Sequence, residues 1–152
     1  MNARMSISLF VAPLLACSDG SVPGTPYPLP AHELAKAEHA AANGESWGDK
    51  ELAFHYDFAG DRQRSEMHFA RCLKAQHPEC LAEKANHLIA AARDPNTSES
   101  DRNKLLDEAL RFNTEAIASD KRQSNSYEEG LLAQRRAITD FLNGKNTEAL
   151  KR

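Results

Sequence analysis

The sequence predicts an all-α protein built from antiparallel helical hairpins that stack as a short repeat superhelix. From Ala31 onward, apolar residues recur at spacings of three and four, and no stretch alternates as a strand does. Glycine or proline marks the short turns between these segments, which implies antiparallel neighbours. Two candidate second helices, which start near Asp61 and Asp101, lie 40 residues apart, a spacing that fits a two-helix repeat.

The clearest turns lie at Gly60 and Pro78. We predict one helix over Asp49–Phe58, which Gly60 ends, and a second helix over Arg62–Gln76, with Asp61 as its cap. Pro78 suits the first turn of the helix that follows. Backbone N–H groups in that turn have no acceptor within the helix, so proline loses no hydrogen bond there. The apolar set of that fourth helix is Leu81, Ala85, Leu88, Ile89 and Ala92.

Three further helices flank this central part. The first is predicted over Ala31–Asn43 and ends at Gly44. The fifth follows a polar loop, and either Ser98 or Ser100 caps it. The sixth is predicted over Tyr127–Asn143, after a polar segment, and its periodicity is again helical.

The first seventeen residues predict export and lipidation. Arg4 and the apolar run Met5–Leu15 are typical of a secretory signal. The segment Leu14–Cys17 resembles the lipobox of bacterial lipoproteins, and this resemblance implies cleavage before Cys17 and acylation of that cysteine. An ordinary signal peptide, cleaved after Ser18, is the alternative.

The chain is therefore expected to have three parts. Residues 1–16 are the signal peptide, residues 17–30 are the lipidated cysteine with a Pro/Gly-rich tether, and residues 31–152 are the helical repeat domain. The tether holds four of the seven prolines and is expected to be extended. Because Ser18 rather than aspartate follows the cysteine, the lipoprotein resemblance implies the periplasmic face of the outer membrane.

Residues Leu52–Ala85 resemble Sel-one-like repeats, which are α/α units of the tetratricopeptide type. The resemblance rests on Tyr56 ahead of the Gly60-Asp61 turn, on the segment Phe69–Cys72, and on the turn His77–Glu79. It implies a small superhelix that binds proteins and shares no catalytic residue. Residues 90–143 depart from the pattern, so the number of repeats is left open.

The chain has three cysteines, and lipidation of Cys17 leaves an even pair. Cys72 and Cys80 flank the Pro78 turn, and cysteine-rich members of the resembled family bridge two helices with this C-x7-C spacing. We predict a disulfide between them; two reduced core cysteines are the alternative. His68 lies four residues before Cys72, but a compact second ligand pair is missing, so no metal is expected.

Composition and the absence of known motifs limit the functions that the sequence supports. The formal net charge is −3 and no basic tract occurs, which argues against nucleic acid as a partner. No nucleophile elbow, P-loop, HExxH or dinucleotide fingerprint occurs, so we expect neither an enzyme nor a cofactor. An enzyme that acts on cell-wall material is the alternative class.

The function expected from these features is a membrane-tethered interaction module for an unidentified envelope protein. Within that class the chain is an immunity protein against an envelope toxin or, alternatively, an accessory factor of an outer-membrane assembly or secretion machine. Aromatic and arginine side chains are enriched at interfaces, but for each aromatic residue a place in the core between helices is the better-supported alternative. The candidate partner-binding residues are Trp47, Phe54, Tyr56, Arg62, Arg64 and Arg71.

Overall fold

The structure is a computed structural model that describes residues 27–123 and 127–144. Within those two ranges the chain forms six α-helices and no strand, which confirms the all-α class. The predicted signal peptide, Cys17 and most of the predicted tether lie outside the described residues. The helices are α1 (Ala31–Ala42), α2 (Ser46–Phe58), α3 (Arg62–Lys74), α4 (Pro78–Ala92), α5 (Glu99–Gln123) and α6 (Glu128–Leu142).

The helices form antiparallel hairpins that stack along the chain, as predicted. The two most extensive helix pairs are α2 with α3 and α4 with α5. Helix α1 packs on α2 at one end of the stack, and α6 packs on α5 at the other. Helices α3 and α4 touch over a small area only, and the Cys72–Cys80 disulfide joins them there. The bridge therefore links one hairpin to the next.

Helix capping explains where the second helix of each hairpin begins. Gly60 has a φ of 76°, which ends α2, and Asp61 accepts a 3.1 Å hydrogen bond from the backbone N–H of Arg64. Ahead of α5, Ser98 Oγ accepts the backbone N–H of Asp101 at 3.1 Å. Of the two serines considered for this cap, Ser98 therefore fills the role.

The turn between α3 and α4 is a helix-ending motif with glutamine where glycine is usual. Gln76 has a φ of 55°, and two backbone bonds close the turn, from His77 N–H to Cys72 O and from Gln76 N–H to Leu73 O. Ser119 of α5 donates a 2.6 Å bond to the Gln76 carbonyl. This contact with α5 holds the turn in its left-handed conformation, and α3 ends two residues earlier than predicted.

The buried apolar residues form three clusters. The largest lies between α4, α5 and α6, and a second lies between α1, α2 and the segment that precedes α1. The third joins α4, α5 and the start of α6. The largest cluster comprises Ala85, Leu88, Ile89, Ala92, Leu106, Ala109 and Ile138.

The end of the segment predicted as tether is part of the folded domain. Leu29 is buried in the second cluster, and its backbone N–H donates to His55 Nδ1 at 2.9 Å. The Tyr27 hydroxyl donates to Glu51 at 2.9 Å. We expected an extended chain up to Pro30, but these apolar and polar contacts anchor its last residues on α2.

Two helix boundaries also differ from the prediction. Helix α2 begins at Ser46, three residues earlier than predicted, and α5 continues to Gln123 into the segment expected to be a polar loop. The final eight residues, which we expected to fray, lie outside the described residues. In residues 27–123 and 127–144, no helix combines the length and the hydrophobicity that a bilayer crossing requires.

Candidate functional site

A groove of about 450 Å³ lies between α2, α3 and α4. Two partly buried aromatic rings, Phe54 of α2 and Phe69 of α3, line it. Phe69 also contacts the ring of His87 on α4, with 5.7 Å between the ring centroids. The charged side chains along the groove carry both signs, namely Asp57, Glu66 and Glu83 against Arg62 and Lys84.

Two of the six predicted partner-binding residues, Phe54 and Arg62, line this groove. Trp47 is 42% exposed, but it lies at the start of α2 beside α1, on a separate surface, and its indole N–H donates to Glu45. Arg71 is exposed on α3 and is not among the groove residues. The structure therefore brings together only part of the predicted set.

Tyr56 and Arg64 belong to the packing between α2 and α3. Tyr56 is buried and stacks on the ring of His68, with 5.7 Å between the centroids, and the Arg64 guanidinium lies 4.2 Å from the Tyr56 ring centroid. His68 Nδ1 bonds Asp49 at 2.8 Å, and both residues are buried. The aromatic ring of Tyr56 is thus core, which was the alternative reading of the aromatic residues.

A chain of charged groups joins the first hairpin to the second. Lys50 Nζ of α2 lies 2.6 Å from Glu51 and 2.9 Å from Glu79 of α4. Burial alone lowers the pKa of Lys50, but the negative charges of Glu79 and Glu51 outweigh it and raise that pKa above its ordinary value. Burial likewise works against the charge of Glu79, yet Lys50 and the Tyr127 hydroxyl lower its pKa. The pair is therefore ionised across neutral pH.

The Cys72–Cys80 disulfide confirms the predicted pairing. Both cysteines are completely buried, and their Cα atoms are 6.1 Å apart, a usual separation for a disulfide. His77 lies beside the bridge at the start of α4 and is also buried. Its Nδ1 is the one buried side-chain polar atom without a hydrogen-bond partner among the described residues. Burial lowers the pKa of His77, so its ring is neutral at physiological pH.

Sequence reasoning missed the buried polar groups. We expected most histidines to be surface or partly buried residues, and four of the six are, but His68 and His77 are both buried. No periodic pattern reveals a pair such as Asp49 and His68, which come from different helices. His77 carried a usable signal, because it precedes Pro78 at a helix start and stands between two cysteines that close on each other.

The fold and these contacts define a repeat-like α-helical protein with a disulfide between its two hairpins. Comparisons of the chain with protein-family profiles, with curated proteins and with solved structures find no match. The helices and their contacts alone therefore define its class.

Proposed function

We propose that the chain is a membrane-tethered, non-enzymatic interaction module and that the groove between α2, α3 and α4 binds a segment of an envelope protein. The observation that carries the proposal is the groove itself, which offers two aromatic rings and charges of both signs in one concave surface. Stacked helical hairpins commonly present such surfaces to protein ligands. The resemblance of Leu52–Ala85 to Sel-one-like repeats supports the same class.

The composition of the groove suggests the chemistry of its partner. Phe54 and Phe69 offer apolar contact for one or two large side chains of a bound segment. Arg62 and Lys84 can pair with acidic groups, while Asp57 and Glu66 can pair with basic ones. A segment with an apolar anchor flanked by charges of both signs would therefore fit this surface.

The N-terminal sequence supports the location of the module. The lipobox resemblance at Leu14–Cys17 and the Pro/Gly-rich segment after it favour a lipid anchor on the periplasmic face of the outer membrane. Tyr27 and Leu29 contact α2, so the proposed spacer would run from Cys17 to the residue before Tyr27. Immunity against an envelope toxin is our leading version of this role, and an assembly or secretion accessory is the alternative.

Site-specific photocrosslinking in intact envelopes tests the groove. A photoreactive residue replaces Glu66, which is exposed in the groove, and a matched chain carries it at Glu108, which is exposed on α5. We expect a discrete crosslinked adduct from position 66 and none from position 108. Arg62→Glu combined with Lys84→Glu should weaken that adduct, whereas Lys104→Glu on α5 should leave it unchanged.

Equal adducts from positions 66 and 108, or no adduct from position 66, would contradict the groove as the binding surface. Mass spectrometry of the adduct distinguishes the two versions of the role, because a toxin supports immunity and a subunit of an assembly machine supports the accessory role. Cys17→Ser tests the anchor separately: we expect it to abolish lipid labelling and to leave the chain either uncleaved or soluble.

A further inference from the structure

We infer that Cys72, His77 and Cys80 form a metal site for a thiophilic divalent cation of the Zn²⁺ type when the disulfide is reduced. A ring nitrogen of His77 and the two Sγ atoms lie within 4.8 Å of one another, and all three residues are buried. His77 Nδ1 has no hydrogen-bond partner. A buried ring nitrogen without a partner usually has an explanation, and a cation between the three groups supplies one.

The backbone already places the three ligands around one point. His77 N–H donates to Cys72 O at 3.2 Å and His77 O accepts Leu81 N–H at 3.1 Å, so the turn is fixed on both sides of the imidazole. Zinc–sulfur bonds of about 2.3 Å in a tetrahedral site require sulfurs about 3.8 Å apart. Because the two Cα atoms are 6.1 Å apart, rotation of the cysteine side chains can provide this separation.

The ligand set suits Zn²⁺. Two thiolates balance its charge, which a buried site requires, and a neutral imidazole nitrogen completes a Cys₂His set. Zinc sites with three protein ligands keep a fourth position open for water or another ligand. His68, which the sequence placed four residues before Cys72, bonds Asp49 instead and is not part of this cluster.

The disulfide form converts to the zinc-bound form in two steps, a thiol–disulfide exchange and then metal binding. A dithiol reductant attacks the Cys72–Cys80 bridge, its two sulfurs become a disulfide, and its two protons pass to the cysteines. Zn²⁺ then displaces the two thiol protons and binds both thiolates together with His77. From the sequence we expected no metal, because a compact second ligand pair is missing and the disulfide uses both thiolates. The second reason applies to the oxidised chain only.

Zinc binding by the full chain tests this inference. The inference does not depend on the groove proposed to bind a partner. All chains carry Cys17→Ser, so that Cys72 and Cys80 are the only native cysteines left. The protein is reduced with a phosphine, desalted without oxygen and titrated with Zn²⁺ against a chromophoric chelator. Co²⁺ replaces Zn²⁺ in a parallel titration, because thiolate charge-transfer bands and tetrahedral d–d bands report the ligands directly.

We expect the reduced chain to bind one Zn²⁺ and the disulfide form to bind none. His77→Gln should weaken the affinity by about tenfold or more, since even indirect partners of metal ligands cost about 10–100-fold. His77→Cys, which restores a ligand, should bind Zn²⁺ tightly again. His87→Gln removes an exposed histidine and should leave the affinity unchanged.

Helicity measured by circular dichroism accompanies each titration. If the reduced chain loses helix, recovery with Zn²⁺ in the parent chain but not in His77→Gln supports the site. Zinc affinity no greater than that of Cys72→Ser with Cys80→Ser, or equal affinity of the parent and His77→Gln, would overturn the inference. Loss of helix that Zn²⁺ does not restore would overturn it as well.

Discussion

The two ends of the helical stack are held together by different kinds of contact. Helices α4, α5 and α6 enclose the largest apolar cluster, with Leu106 and Ile138 completely buried in it. Helices α1, α2 and α3 depend more on polar and steric detail, namely the buried pair Asp49–His68 and the close crossing at Gly48. The end formed by α1, α2 and α3 should therefore be sensitive to small changes of shape. The end formed by α4, α5 and α6 should be sensitive to loss of apolar volume.

The largest expected effect is loss of apolar volume between α4, α5 and α6. Leu106→Ala removes a completely buried side chain and should lower the free energy of unfolding by about 3 kcal/mol. Leu132→Ala is the matched control, because Leu132 is 40% exposed on α6, and its effect should be much smaller. Urea unfolding of the two variants measures the difference. Equal effects would contradict the assignment of this cluster as the core.

The next effect concerns the bridge between the two hairpins. The disulfide closes a loop of nine residues counting both ends, from a sequence separation of 8, and should contribute about 2.5 kcal/mol through chain entropy. Cys72→Ser should therefore lower the melting temperature by roughly 10 °C or more. The double variant with Cys80→Ser should be no less stable than either single variant. A fully additive loss would show that each cysteine acts on its own.

The close crossing of α1 and α2 predicts a steric effect at Gly48. A Cβ atom there would overlap the backbone N of Ala41 and lie 2.6 Å from Ala37 O and 2.8 Å from Ala40 Cβ. Gly48→Ala should therefore destabilise the protein by about 1–3 kcal/mol. Gly130→Ala on α6 meets nothing within 4 Å and should stabilise it slightly, by up to about 1 kcal/mol. Thermal melts that rank these variants in the opposite order would refute the crossing.

The smallest expected effect is the pH dependence of the Lys50 pair. The pKa of Lys50 is raised in the folded state despite burial, because Glu79 and Glu51 favour its charge. Its stabilising contribution is therefore complete below the ordinary lysine pKa of 10.5 and is lost as pH rises through the higher folded value. Between about pH 9 and pH 12, the melting temperature should fall more steeply for the parent chain than for Lys50→Met. Lys104→Met, at an exposed pair, should follow the parent.

The sequence predicted the apolar packing of α4, α5 and α6 better than the contacts that anchor residues 27–30 on α2, for a physical reason. The helical spacing of apolar residues predicts which face of a helix packs in an apolar core, and Leu88, Leu106 and Ile138 are buried as that spacing predicts. The turn at Gly60 and Asp61 was predicted equally well, because a left-handed backbone favours glycine and a helix N-cap favours aspartate. The packing of Leu29 on α2 was not predicted, because the sequence of a Pro/Gly-rich segment looks like that of a spacer and does not show its tertiary contacts.

The candidate site was only partly predictable. Phe54 and Arg62 were identified by residue type, and Cys72 with Cys80 by parity, spacing and resemblance. The buried position of His77 was not predicted, although its place between the two cysteines and before Pro78 was a usable signal. The groove combines residues of three helices, and no single stretch of sequence displays that combination.

The disulfide between the hairpins is the central structural claim, because it joins one hairpin to the next and brings together the two cysteines of the proposed metal site. Thiol titration of the unfolded, unreduced Cys17→Ser chain, purified from an oxidising compartment, tests it most directly. We expect no free thiol before reduction and two afterwards, since Cys72 and Cys80 are the only cysteines in this variant. Two free thiols before reduction would contradict it.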